Sequence, residues 1–129
     1  MISVSVTKQS NYPVSVAPVK KKLAVFLVKN GIVSDAEVSV AIVGERQMLK
    51  LGAEYLKDGK LHNVLSFTPS EVKTDFAYPP DSLIHLGEII VCYPAALVEA
   101  KKENKLIDEK VYELIEHGAL HLMGMHHPE

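Results

Sequence analysis

The stretch Glu37-Val-Ser-Val-Ala-Ile-Val-Gly-Glu-Arg-Gln-Met-Leu-Lys-Leu-Gly-Ala-Glu-Tyr-Leu-Lys57 decides the fold. From Glu37 to Val43, β-branched residues fall on alternate positions, the period of a strand with unlike faces, and Gly44 ends it. From Glu45 to Lys57, Met48, Leu49, Ala53, Tyr55 and Leu56 recur at helical spacing, and Asp58-Gly59 supplies a stop. A strand that turns directly into a helix calls for a sheet with helices packed on it.

Outward from this unit the same periods recur. Ile2 to Thr7 alternates apolar residues with Ser and Thr and reads as an opening strand. Pro13 and Pro18 punctuate a connection, after which Val19 to Lys29 suits a helix closed by Asn30-Gly31. Asn63 to Phe67 is a short apolar strand, Thr68 to Ser82 a loop rich in Pro, Ser and Asp, and Leu83 to Cys92 an apolar β-type run interrupted at Gly87-Glu88. Pro94 to Asn104 and Asp108 to Met123 read as two helices. Asp108 is the expected N-cap of the second, whose apolar stripe is Val111, Leu114, Ile115, Ala119 and Leu122. The expected architecture is α+β, a single domain over 1–129 with a mixed four-stranded sheet and packed helices.

Composition sets the class. With 129 residues, 47% hydrophobic and 23% charged, the chain has room for one core and no tract that favours disorder. The longest purely apolar run, Leu23 to Val28, falls well short of the roughly 20 residues a membrane span needs, and no basic-then-apolar leader opens the chain. A cytoplasmic protein with no membrane partner is therefore expected. The single cysteine, Cys92, agrees with a reducing compartment and reads as a buried strand residue. A net charge of −2 gives no global attraction for nucleic acid, and the one basic cluster, Lys20-Lys21-Lys22, reads as a solvated helix face.

Four of the six histidines lie between His117 and His127. His117 and His121 stand four apart on the last helix, so their rings project from one face, a turn apart. Gly124 lets the chain leave the helix, and His127 can then return to the same ion, in the pattern H-x-x-x-H-x-x-G-x-x-H. Three imidazoles with a fourth position open to solvent are a catalytic rather than a structural layout, and neutral nitrogen donors suit Zn2+. His126 could replace His127, but the spacing from Gly124 favours His127. The spacing is shared with the metzincin proteases. Where those carry a glutamate general base, however, this chain has Gly118, which disfavours peptidase chemistry. Glu116 is expected off the metal face, as a surface charge.

The segment His117-Gly-Ala-Leu-His121-Leu-Met-Gly-Met-His-His127 resembles the motif H-G-x-L-H-L-x-G-Y-D-H of the YbeY-type family of endoribonucleases and ribosomal RNA maturation factors. Asn63-Val-Leu-Ser-Phe67 is similar to its T-D/N-V-L-S-F strand, and Leu86-Gly-Glu-Ile-Ile-Val91 to its L-G-D-I-x-I strand. The resemblance covers Glu37 to His127. It implies zinc on His117, His121 and His127, which would be the catalytic set, and hydrolysis of single-stranded RNA in ribosomal RNA maturation and ribosome assembly. Ribosomal RNA or a ribosomal subunit is the implied partner, not DNA. A metal that withdraws charge from a phosphoryl oxygen suits phosphodiester cleavage. Ser66, His62 and Lys57 stand where substrate could be met.

Two dipeptides depart from the family pattern. Its tyrosine-arginine pair reads Tyr55-Leu56 here, and the only arginine, Arg46, lies nearly three turns earlier. Lys57, about 100° further around the helix, offers a point charge in place of a guanidinium fork. Met125-His126 replaces tyrosine-aspartate, removing a carboxylate that could orient the third ligand. A binding or assembly factor that keeps the metal without the nuclease is the alternative.

Overall fold

A computed structural model of the chain describes residues 1–9, 12–69 and 83–124. The elements are β1 (Ile2–Lys8), α1 (Val16–Lys29), β2 (Ala36–Val43), α2 (Glu45–Leu51) with a π-helical turn (Gly52–Leu56), β3 (Val64–Phe67), β4 (Ile84–Cys92), α3 (Tyr93–Glu103) and α4 (Ile107–Leu122). The sheet runs β1-β2-β4-β3. β1, β2 and β4 are parallel, and β3 runs antiparallel along β4 as an edge strand. The expected mixed four-stranded α+β sheet is present.

Strand periodicity sorts the side chains into two layers. Val38, Val40 and Ile42 of β2 and Ile89 and Val91 of β4 form one core with Leu23 and Leu27 of α1 and Val111, Ile115 and Ala119 of α4. The opposite face carries Val43, Leu65, Phe67, Ile90 and Cys92, covered by Met48 of α2. Beyond α2 that face is solvated, and Ser5 and Ser39 meet there across β1 and β2, Oγ to Oγ at 3.2 Å. Cys92 is buried as expected, and removal from water pushes its thiol above the usual cysteine range.

Gly87 marks the interruption read in the fourth strand. The β2–β4 register shifts between Glu37 and Val38, which face His85 and Gly87, so Leu86 is the extra residue of a bulge. Gly87 has φ +132, and a Cβ there would lie 2.1 Å from the Phe67 carbonyl oxygen. Only glycine lets the edge strand approach at this point.

Three boundaries differ from the expectation. α1 begins at Val16 with Pro18 inside its first turn, where a missing N–H costs no helical bond. The N-cap of α4 is Leu106, and Asp108 lies in the first turn instead, where its charge still meets the helix dipole. The second helix is α-helical only to Leu51 and widens into the π-turn that ends on Lys57, left-handed at φ 58.

α3 and α4 are tied by an unusual residue for an interior, Lys110, which is 5% exposed. Its Nζ meets Glu103 at 2.9 Å, Glu99 at 3.2 Å and Glu113 at 3.5 Å. Burial pulls the ammonium down, but the Glu103 and Glu99 hydrogen bonds and nearby charges outweigh it and hold Lys110 above the ordinary lysine value.

Candidate functional site

α4 lies across β3 and β4, and glycine sets how closely. A Cβ on Gly118 would stand 2.8 Å from Ile89 Cγ2 and 3.5 Å from Ser66 Cβ. The helix can settle on the sheet only because this position has no side chain. That close approach accounts for glycine where the metzincin pattern has glutamate: the position faces the sheet, with no room for a carboxylate.

His117 and His121 flank this contact on α4. His117 is exposed, and His121 is half-buried in the last turn. The helix ends at Leu122, and Gly124 takes the left-handed conformation at φ +77, with its N–H donating to the His121 carbonyl at 3.0 Å. This is the exit expected for a chain that turns back toward the helix. His126 and His127 lie outside the described residues. Among the described residues, no three His, Cys, Asp or Glu side chains are grouped to hold a metal.

Beside His117 is a cavity of 410 Å³, walled by Asn63 and Val64 at the start of β3 and by Glu113, Glu116, His117 and Leu120 of α4. Glu116 is part of the wall. The Tyr112 phenol one turn earlier is pushed up to about 12, by burial first and the Glu116 charge second. The Asn63 amide donates to Glu99 Oε1 at 2.8 Å. Because Glu99 in turn pairs with Lys110, the buried lysine braces both walls. Glu113 is held below the usual glutamate range, chiefly by the Lys105 hydrogen bond and also by Lys110.

The other anticipated residues divide. Ser66 is half-buried on the α4 side of β3, against Gly118. His62 is engaged elsewhere: its Nε2 lies 3.0 and 3.1 Å from the two Asp58 carboxylate oxygens, and the pair packs over Gly52 of the π-turn. Lys57 is exposed at the end of that turn. Tyr55 packs on Phe67, ring centroids 4.9 Å apart, on the sheet face opposite α4, and Leu56 beside it is 46% exposed. Asn63, Glu113 and Asp58 were given no role from sequence. Glu113 and Asp58 each stand four residues before a histidine, a spacing that could have found them.

A mixed sheet with a histidine-bearing helix laid on its antiparallel edge defines a small α+β protein with His117 beside the start of that edge strand. The family described as Endoribonuclease YbeY matches residues 5–129, and the chain belongs to that family. Relatives named Endoribonuclease YbeY include one from Dehalococcoides mccartyi, 33% identical over 102 residues, covering 74% of this chain and 59% of that protein. One from Acinetobacter baumannii is 33% identical over 111 residues, covering 86% of this chain and 69% of the relative. The chain thus spans less than two thirds of the length of the Dehalococcoides proteins it matches. The solution structure of TM1509 from Thermotoga maritima superposes with a TM-score of 0.63 at 23% identity, over 97% of this chain and 75% of that one, and shares the fold.

Proposed function

We propose that this chain is a zinc-dependent endoribonuclease that cleaves single-stranded RNA in the maturation of ribosomal RNA, acting in the cytoplasm on ribosomal RNA or a ribosomal subunit. The observation that carries the reading is the His117–His121 pair, one helical turn apart on α4 with His117 at the cavity wall, in a chain whose relatives are named as endoribonucleases. No described helix is long and apolar enough to cross a membrane.

The donors fit zinc. His117 and His121 offer imidazole nitrogens four residues apart on one helix, Gly124 permits a turn after it, and His127 would supply the third ligand. A zinc ion bound there would polarise a phosphoryl oxygen and make a nucleophile available near neutral pH. The rest falls to the chain's own groups. The Ser66 hydroxyl, beside Gly118, can donate to a phosphate oxygen. Asn63, steadied by Glu99, presents an amide at the cavity wall. Glu116 brings a carboxylate beside His117, whereas the charge of Glu113 is spent on Lys105 and Lys110.

A second reading, a metal-binding assembly factor without nuclease activity, is favoured by Leu56, an exposed alkyl group where the family pattern has arginine. The test is cleavage of a fluorescent single-stranded RNA by the zinc-loaded chain. The nuclease reading expects cutting that His117→Ala abolishes. Intact RNA with folded, zinc-loaded protein would leave the assembly factor.

A further inference from the structure

The basic cluster read as a solvated helix face lines something more specific. Two grooves of 730 and 700 Å³ run along the outer side of α1 and share Val25 and Lys29. Their lining is largely apolar, with the Phe26 and Tyr112 rings beside the alkyl groups. Val25 is 60% exposed, Val28 56% and Val33 88%, joined by Ala17 and Pro18 at one end and Ile32 at the other. A contiguous apolar strip of this kind is not ordinary surface scatter.

The rim is cationic. Lys21, Lys22 and Lys29 line the grooves, and Lys20 precedes them. Among the described residues none of the four pairs with a carboxylate, while Lys22 sits over the Tyr112 ring at 5.4 Å. One acid, Glu116, lines the first groove beside Tyr112. A chain of net charge −2 thus gathers three lysines along an apolar trough, against one acid, Glu116, among the described lining residues.

We infer that the outer face of α1 is a docking groove for an acidic amphipathic helix of a second protein. The trough accepts an apolar stripe and the lysine rim accepts the flanking carboxylates, the complementarity by which a helix lies in a groove. From Ala17 to Lys29 the face is about 18 Å long, enough for about three turns of partner helix. RNA fits less well: apart from Phe26 and Tyr112 the lining is alkyl, with little to hydrogen-bond nucleobase edges, and the Tyr112 face is already taken by Lys22. A bilayer surface fits less well too, since a flat headgroup layer does not fill a concave trough. This inference does not depend on the nuclease reading.

The probe is a fluorescein-labelled 18-residue helical peptide designed with leucine on one face and glutamate on the other, titrated into the full chain by anisotropy. Saturable binding is expected, at least ten-fold weaker in Val25→Asp and in Lys21→Glu/Lys29→Glu, and unchanged in Lys102→Glu on α3. A peptide with lysine in place of glutamate should bind at least ten-fold more weakly. All these positions are exposed, so thermal melts should confirm folded variants. No saturable binding, or equal binding to the groove variants, overturns the inference. So does groove-dependent binding of labelled single-stranded RNA or anionic vesicles in place of the peptide, or self-association of the chain that Val25→Asp abolishes.

Discussion

Gly118 and Ile89 are in contact so close that a single added carbon would stand 2.8 Å from Ile89 Cγ2. Ile89 is fully buried and β-branched, so it cannot rotate away. This contact sets the depth of α4 on the sheet and with it the position of His117 and His121 relative to Ser66.

Gly118→Ala therefore sets two effects against each other. Alanine improves helix propensity by about 1 kcal/mol, while overpacking a rigid core costs about 2 kcal/mol. The overlap wins, and chemical denaturation should show a net loss of about 1 kcal/mol. In an Ile89→Ala background the same change should become neutral or stabilising, a coupling that additive behaviour would contradict.

Lys110→Met should destabilise the chain by about 2 kcal/mol, less than for a fully enclosed pair because its carboxylates reach solvent. The sign with pH follows from Glu103 and Glu113, both held below the ordinary glutamate range: Glu103 first by its Lys110 hydrogen bond, Glu113 first by Lys105. Their contribution is present above the unfolded value of about 4.3 and is lost as pH falls through the depressed folded values. Urea midpoints measured from pH 7 to pH 3 should fall steeply below about pH 4.3 in the parent and less steeply in Lys110→Met. Parallel curves would remove Lys110 from the network's electrostatics.

Leu56→Arg places a guanidinium at an exposed position and should leave thermal stability nearly unchanged. If Leu56 weakens phosphate binding, the variant should bind a single-stranded RNA oligomer about ten-fold more tightly, since a charge-assisted contact contributes about 1.5 kcal/mol. Unchanged affinity would show that this corner of the π-turn does not meet RNA.

The sheet was legible because strand and helix periods are written in short range. Ile2 to Thr7 alternates cleanly since one face of β1 is solvated, and the Val111 to Leu122 stripe is the face α4 buries. The π-turn was not legible: Gly52 to Leu56 keeps a helical apolar pattern, and its widening comes with the Asp58–His62 pair packed over Gly52. That pair also explains why His62, attractive as a lone histidine near a strand, is engaged away from α4. The cavity that Glu116 helps to wall was not legible either, since a helical wheel ranks faces without knowing that β3 starts beside α4. Lys110 could not be read as buried from sequence, since its burial depends on three carboxylates contributed by two helices.

The most direct measurement is the zinc content of the purified native chain beside that of His121→Ala, by elemental analysis with a melting curve to show that both are folded. The account predicts about one zinc per parent chain and a loss of nearly all of it in the variant. Equal zinc in the two proteins, or none in either after reconstitution, would contradict it.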